Sequence, residues 1–217
     1  MTSAAPVVRV VDDDASFRKA IERLLRAAGF AVMSFASAAE VLARPDLDVP
    51  GCILLDLQMP GLSGLELQEA LAKAQNSLPI VFLTGHGDIL TSVQAMRKGA
   101  EDFLTKRAPK EALLDAVRRA IDRDARARAE ESRTRALRGR FAALTPRELE
   151  VLRHVVRGQL NKQIAADLGI HERTVKLHRT GITTKLGVSS TAELTRLWLE
   201  AGEAAQSLVA EHRPGPI

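Results

Sequence analysis

Short apolar runs alternate with helical stretches along the first half of the chain. Val7–Val11 is apolar except for Arg9 and leads into three aspartates, as a buried strand does where it enters an acidic loop. Four later runs, at 30–35, 52–55, 80–83 and 103–105, also have the composition of strands. Segments with helical signals separate these runs. Five strands that alternate with helices predict an α/β fold, doubly wound around a five-stranded parallel sheet.

The second half of the chain carries helical patterns only. Thr145-Pro-Arg-Glu148 combines a capping box with proline at the first helical position and predicts a helix start. Further helices are predicted at about 161–168 and 172–186, and Gly187 is placed to end the latter. A fourth helix opens at Ser190, again with a glutamate three positions later. The pattern predicts an all-α domain of four helices.

A charged stretch joins the two halves. Residues 122–140 contain seven arginines and four acidic residues but few large apolar ones, so we expect no core of their own. We therefore assign 1–122 to the α/β domain, 123–141 to a helical linker, 142–205 to the helical domain and 206–217 to a disordered tail.

Composition and charge narrow the class of protein. With 46% hydrophobic and 27% charged residues, the 217-residue chain resembles globular proteins rather than disordered ones. It has no apolar run near the roughly 18 residues of a membrane span, and its single cysteine, Cys52, makes no intramolecular disulfide, so we expect a cytoplasmic protein. After residue 125, 16 basic residues oppose 10 acidic ones. This excess suggests a polyanionic partner, although a solvated basic surface is the alternative.

Polar residues stand at the ends of the predicted strands. Asp12 and Asp13 follow the first strand, Asp56 ends the third, Thr84 the fourth and Lys106 the fifth. In a parallel sheet these ends share one edge, where ligand sites lie. Three carboxylates there favour Mg²⁺, and they allow Asp56 to act as a nucleophile toward a phosphoryl group that Thr84 and Lys106 contact. Taken singly, each residue could equally belong to an ordinary turn or helix cap.

The motifs around these residues resemble the receiver domain of two-component response regulators, which has a flavodoxin-like fold. They are Val10-Val-Asp-Asp-Asp14, Leu55-Asp-Leu-Gln-Met-Pro-Gly61, Leu83-Thr-Gly-His-Gly-Asp88 and Phe103-Leu-Thr-Lys106. The helical domain resembles the helix-turn-helix domain of the NarL/FixJ (LuxR-type) family, on Leu144-Thr-Pro-Arg-Glu148, Asn161-Lys-Gln-Ile-Ala165 and Thr174-Val-Lys-Leu-His178. The Thr-Gly-His-Gly-Asp stretch is most similar to FixJ- and StyR-like members.

The resemblance implies a phosphorylation switch. A sensor histidine kinase is expected to phosphorylate Asp56, and Mg²⁺ to be bound by the three aspartates together with a backbone carbonyl near Gln58. Thr84 and Phe103 are expected to move together once the phosphoryl group adds its negative charge. The resemblance further implies a homodimer on promoter DNA, regulation of RNA polymerase, most simply activation, and a bacterial cytoplasmic location.

The resemblance also implies which residues contact double-stranded DNA. In such domains the third helix enters the major groove. Base contacts are expected from Lys176, Leu177 and Thr180, and phosphate contacts from Lys162, Thr174, His178, Arg179 and Lys185. Gly181 is unusual inside this helix, because glycine costs about 1 kcal/mol relative to alanine. Trp198 either stacks at a dimer interface or is buried within the domain.

One departure from the receiver pattern leaves an alternative open. The family has proline after the lysine, whereas Arg107-Ala108-Pro109 follows Lys106 here. A cis bond without proline costs about 3 kcal/mol, so a trans bond is expected at Arg107. The alternative function is a regulator that works partly without phosphorylation, and a third is a receiver that acts through protein contacts alone. An aspartyl-phosphate phosphatase is not expected, because Gln58 stands where such an enzyme needs a second aspartate.

Overall fold

The computed structural model describes residues 5–44, 47–85 and 89–211, without the side chains of 89–91 and 203–211. Contacts divide the chain into two compact units, Met1–Arg128 and Ala129–Ile217, and each is described by itself. His86 and Asp88 of the receiver-like motif lie outside the described residues. No helix in the described part of the chain is long and apolar enough to cross a membrane.

The first unit is built on a five-stranded parallel sheet, as predicted. Its strands are β1 (Val7–Val11), β2 (Ala31–Phe35), β3 (Gly51–Asp56), β4 (Ile80–Thr84) and β5 (Asp102–Thr105). They pair in the order β2-β1-β3-β4-β5, all parallel. The order reverses at β1, which opens a crevice at the carboxyl ends of β1 and β3.

Helices cover both faces of this sheet. They are α1 (Ala15–Ala27), α2 (Ala38–Leu42), α3 (Gly64–Lys73), α4 (Ile89–Arg97) and α5 (Lys110–Ala142). The side chains of β3 alternate between two buried clusters, with Ile53 and Leu55 in one and Cys52 and Leu54 in the other. β3 is therefore buried on both sides and holds Asp56 at a rigid position.

Two Ser-x-x-Glu sequences of this unit, which begin at Ser37 and Ser63, have the pattern of a capping box, and the second forms the box in full. Ser63 and Glu66 exchange hydrogen bonds at the start of α3. At α2, Ser37 accepts from the backbone of Glu40, but the Glu40 carboxylate accepts from the Ala36 amide instead of the Ser37 amide. α2 therefore begins directly after Ser37, and its glutamate accepts a hydrogen bond from the amide one residue before the cap.

The predicted linker, 123–141, is part of α5. Its first residues pack in the first unit, and its last residues pack in the core of the second. Asp124 is buried, and its Oδ2 accepts hydrogen bonds of 2.9 Å from the Gly51 amide and from Arg128 Nε. Leu137 and Phe141 are buried in the core of the second unit. Few apolar residues suffice here, because each packs against a core built by other elements.

The second unit contains the four predicted helices, α6 (Pro146–Val156), α7 (Asn161–Leu168), α8 (Glu172–Leu186) and α9 (Thr191–Glu211). Gly187 takes φ +59° at the end of α8, the left-handed cap that the sequence predicts. Residues 206–211, which the sequence assigns to the tail, continue α9 beyond a break at Gly202. Alanine-rich sequence favours this continuation, and 212–217 lie outside the described residues.

Candidate functional site

An acidic cluster lies at the carboxyl edge of the sheet. Asp12 follows β1 and Asp56 ends β3, and both are almost fully buried, at 1% and 4% exposure. Val11 pairs with Leu55 across the two strands, so the next residue of each strand reaches the same crevice. Asp13 is exposed at the rim, and its carboxylate oxygen lies within 4.8 Å of one oxygen from each of the other two.

The three consecutive aspartates have different surroundings. Asp12 Oδ1 accepts a hydrogen bond from the Asp14 amide, which orients the buried carboxylate. Asp14 caps α1, because its Oδ1 accepts from the amides of Ser16 and Phe17 at 2.8 and 3.1 Å. These backbone bonds lower the pKa of Asp14. The capping alternative therefore applies to Asp14, while Asp12 and Asp13 lie at the cluster.

Lys106 brings a positive charge to the acidic cluster. Its Nζ donates to Asp56 Oδ2 at 2.8 Å and lies 2.7 Å from Asp12 Oδ2. Burial acts to lower the pKa of Lys106, but these contacts outweigh it and the net direction is upward. Burial is also the main cause of the raised pKa of Asp12. The lysine stays charged beside two carboxylates that are themselves partly desolvated.

The residues at the cluster fit a divalent cation. Three carboxylate oxygens form a hard donor set, which is the kind that Mg²⁺ prefers. Lys106 supplies one positive charge against three carboxylates, so an ion of charge +2 would balance the remainder. The Gln58 amide donates to Asp56 Oδ1 at 3.2 Å, which places the backbone of Gln58 beside the Asp56 carboxylate.

The two predicted switch residues lie on neighbouring strands beside the cluster. Thr84 is 2% exposed at the end of β4, and its carbonyl accepts from the Lys106 amide at 2.7 Å. Phe103 on β5 is half-buried, with its ring centroid 6.1 Å from that of Phe82. Thr84 and Phe103 thus lie on two hydrogen-bonded strands, β4 and β5.

Sequence reasoning missed two residues that position this site. A Cβ at Gly64 would lie 2.4 Å from the Asp56 carbonyl oxygen, so only glycine allows α3 to begin this close to the end of β3. The ring of Phe17 lies 4.7 Å from Lys106 Nζ, a distance typical of a cation–π contact. Neither residue has a sequence signal of its role, because both act through contacts distant in the chain.

The Lys106 side chain reaches the acidic cluster although the next residue is arginine rather than proline. The described residues contain no cis peptide bond, so the bond to Arg107 is trans as predicted. The Ala108 amide donates to the Thr105 carbonyl in a turn that follows the lysine. The side chain still makes both ion pairs, so the departure at Arg107 does not remove Lys106 from the site.

The exposed face of α8 presents the predicted base-reading residues. Leu177 is 71% exposed, and Lys176 and Thr180 are also exposed. The opposite face is formed by Val175, Ile182 and Leu186, which are fully buried. A leucine that protrudes from a helix with a satisfied core face is available for contact with another molecule.

The predicted phosphate-contacting residues are unevenly placed. Lys162 is exposed at the start of α7, and Thr174 and His178 are half-buried on α8. Arg179 donates to Asn161 Oδ1 at 3.0 Å and to Thr191 Oγ1 at 2.9 Å, so it joins α8 to the starts of α7 and α9.

Lys185 has a partner within the protein. Its Nζ donates to Glu148 Oε2 at 2.7 Å, and the Glu148 side chain is 9% exposed. The same carboxylate completes the capping box with Thr145 at the start of α6. A Cβ at Gly181 would lie 2.6 Å from Glu148 Oε1, which explains the glycine inside α8. Lys185 thus stabilises the contact between α6 and α8.

The Trp198 side chain packs against other residues of the second unit. Its ring meets Phe141 edge-on with centroids 5.8 Å apart, and it borders the buried core. Of the two alternatives for this tryptophan, the intradomain one is observed.

Two family models match the chain. Residues 8–118 match the response regulator receiver domain, and residues 142–198 match the bacterial regulatory proteins of the luxR family. The matches cover the unit with the acidic cluster and the unit with the exposed helix α8.

Relatives match over nearly the full length. Nodulation protein W of Bradyrhizobium diazoefficiens is 45% identical over 196 residues, 90% of this chain and 86% of that protein. Transcriptional regulatory protein FixJ of Azorhizobium caulinodans is 42% identical over 200 residues, 91% of this chain and 93% of that protein. The solved structure of response regulator StyR has a TM-score of 0.85 at 46% identity, covering 91% of this chain and 100% of that one.

Proposed function

We propose that phosphorylation of Asp56 controls the binding of this protein to promoter DNA. The chain belongs to the two-component response regulators with a luxR-family DNA-binding domain. Its role in two-component regulation of transcription follows from the family. We further assign the phosphoryl acceptor, the ligands of Mg²⁺, the residues that respond to phosphorylation and the residues that contact DNA. We further propose that a sensor histidine kinase is the phosphodonor and that the protein works in the bacterial cytoplasm.

The observation that carries the proposal is the position of Asp56. Its carboxylate is nearly buried, accepts from Lys106 at 2.8 Å and shares a crevice with Asp12 and Asp13. A carboxylate held only for stability gains nothing from two like charges within 4.8 Å. A carboxylate that receives a phosphoryl group needs cations at that place.

The residues at the site have complementary roles in phosphoryl transfer. An Asp56 carboxylate oxygen attacks phosphorus, so that a bond from oxygen to phosphorus forms as the bond from phosphorus to the donor's leaving atom breaks. Lys106 stabilises the equatorial oxygens of the transferring group, and the Thr84 hydroxyl donates to one of them afterwards. Asp12, Asp13, Asp56 and the Gln58 carbonyl would hold Mg²⁺, which when bound supplies charge neutralisation at those oxygens.

Thr84→Ala is expected to separate phosphorylation from its consequence. The variant keeps Asp56 and the acidic cluster, so phosphodonor labelling is expected to remain within about threefold of wild type. It lacks the hydroxyl that draws Thr84 toward the phosphoryl group and vacates space for Phe103. Sedimentation of labelled protein is expected to show a monomer. Thr105→Ala is the matched control, because Thr105 pairs with Thr84 in register but is exposed, and it should dimerise as wild type does.

The DNA-binding surface is proposed to be the exposed face of α8. Lys176, Leu177 and Thr180 would reach base edges in the major groove, where a cation contacts guanine and an apolar group the thymine methyl. Phosphate contacts are assigned to Lys162, Thr174, His178 and Arg179. Lys185 is left out of this set, because its ammonium pairs with Glu148. A dimer would bind two half-sites and act on RNA polymerase, and activation is the simplest outcome.

Lys176→Ala and Lys162→Ala are expected to have different effects on DNA binding. Loss of a base contact costs about 1–3 kcal/mol and relaxes specificity at one position, whereas loss of a phosphate contact weakens all sequences alike and lowers the salt slope by about one. Affinities for a selected site and for scrambled DNA at several salt concentrations distinguish the two. Equal loss on both DNAs for Lys176→Ala would remove it from the base-reading residues.

The proposed function as a whole is tested by treating the full-length protein with phosphoramidate and Mg²⁺, with labelling followed by intact mass. Labelled protein is expected to sediment as a dimer and to bind selected DNA at least tenfold more tightly than unlabelled protein. A chelator should prevent labelling. Labelling without any change in assembly or DNA affinity would instead support the alternative function, a regulator that works partly without phosphorylation. The ion pairs of Lys106 with Asp12 and Asp56 do not favour this alternative.

A further inference from the structure

A groove of about 510 Å³ lies on the first unit between α1 and the segment from β5 into α5. Its apolar lining includes Phe17 and Leu24 of α1, Leu83 of β4 and Leu113 of α5. A volume of this size, lined mostly by apolar groups, is typical of sites that bind small molecules.

Three alanines contribute to the lining of the groove. Ala20 and Ala27 on α1 and Ala108 after β5 all line it. Their side chains are too short to fill the space between α1 and the start of α5, so Phe17 and Leu24 stay half-buried, whereas Leu83 and Leu113 are buried. An occupant with an apolar body would cover these surfaces.

The charged residues that line the groove are all basic. Arg23, Lys106, Arg107 and Lys110 line the groove, and no acidic residue does. The charge of Lys106 is balanced by the two buried carboxylates of the acidic cluster. For the other three, no ion-pair partner is found within the described ranges. The charge of the lining therefore complements an anionic group.

We propose that this groove binds a small organic anion with an apolar body, of the class of medium-chain carboxylates. The carboxylate would contact the cations, and the chain would lie against the half-buried Phe17 and Leu24. An inorganic anion gains only the charge contacts, and a neutral hydrocarbon only the apolar ones. Arg107, the residue that departs from the receiver pattern, thereby acquires a role that phosphorylation of Asp56 does not give it.

Octanoate is the probe that tests the proposal. It is titrated into isotope-labelled full-length protein, and amide chemical shifts are followed. We expect saturable binding with a Kd below about 1 mM, and shifts confined to α1, the turn after β5 and the start of α5. Octanamide, which keeps the chain without the charge, should bind at least tenfold more weakly, as should acetate, which keeps the charge without the chain.

Three variants assign the binding to this groove. Ala20→Leu should fill the space and weaken octanoate binding at least tenfold, and Arg107→Gln should weaken it at least threefold. Arg126→Gln is the matched control, because this exposed α5 arginine lies outside the lining and donates to the Asp122 carbonyl, and it should bind as wild type does. No saturable binding by wild type, or undiminished binding by folded Ala20→Leu, would overturn the proposal.

Discussion

Asp56→Asn is expected to abolish phosphodonor labelling completely while the protein stays folded. The amide is not a nucleophile toward phosphorus, and no other residue at the cluster stands in the same position between Lys106 and the backbone of Gln58. The substitution is nearly isosteric, so the packing around the end of β3 is preserved. It also removes one of three mutually repelling charges, which offsets the loss of the charged contact with Lys106.

Two readouts make this prediction specific. Intact mass after phosphoramidate treatment should show no adduct, and sedimentation should remain that of untreated protein. Mg²⁺ at saturating concentration should raise the Tm of wild type, since a ligand of the native state stabilises it, and most of this increase should disappear in Asp56→Asn.

Asp14→Asn is the matched control for Asp56→Asn. Asp14 is two residues from Asp12, yet its carboxylate caps α1, and asparagine is an equally good cap. Labelling and the effect of Mg²⁺ on Tm should be as in wild type. An adduct on Asp56→Asn, or loss of labelling in Asp14→Asn, would place the acceptor elsewhere.

Glu148→Ala is expected to destabilise the second unit by about 3 kcal/mol. The carboxylate caps α6, a contribution of about 1 kcal/mol. The carboxylate, which is 9% exposed, also accepts a hydrogen bond from Lys185, whose side chain is 37% exposed, and loss of a hydrogen bond to a charged group costs about 2 kcal/mol more. Guanidinium unfolding of the full-length protein, followed by Trp198 fluorescence, measures the loss because Trp198 borders this core. Glu131→Ala, which removes a largely exposed pair with Arg135, should change stability by no more than about 0.5 kcal/mol.

The same carboxylate predicts a pH dependence. Burial acts to raise the pKa of Glu148, but the hydrogen bonds from Lys185 and Thr145 outweigh it, and the pKa is lowered on folding. Its stabilising contribution is therefore complete above the unfolded value, about 4.3, and is lost as the pH falls through the lower folded value. Between these values wild type should lose stability relative to neutral pH more steeply than Glu148→Ala does.

Gly181 provides a second, independent check of this contact. In wild type, Gly181→Ala places a methyl group against Glu148 Oε1 and should be destabilising. In the Glu148→Ala background the obstruction is absent, and the same change should stabilise α8 by about 1 kcal/mol, the difference in helix propensity. Additive effects of the two substitutions would contradict the contact.

Local sequence was sufficient for most of the fold. The five strands, the parallel arrangement and the four helices of the second unit depend on apolar periodicity, capping residues and glycines such as Gly187, which act within a few positions of one another. Asp12, Asp56 and Lys106 were also predictable, because parallel strands necessarily bring their carboxyl ends to one edge.

Only the tertiary structure decided which partner each polar residue has. The sequence predicted Asp12 and Asp13 as metal ligands and left helix capping open as an alternative, and the folded chain directs Asp14 to the α1 cap. It predicted a DNA contact for Lys185 but gave no sign that Glu148, 37 positions away, accepts a hydrogen bond from its ammonium.

Close contacts between the backbone of one element and the residues of another could not be predicted from the sequence either. Gly64 beside Asp56, Gly181 beside Glu148 and the groove left by Ala20 depend on distances between elements that meet only in the folded chain. Periodicity and capping are short-range properties that a sequence displays directly. The choice among several charged or small partners is made by long-range packing, and no local pattern encodes it.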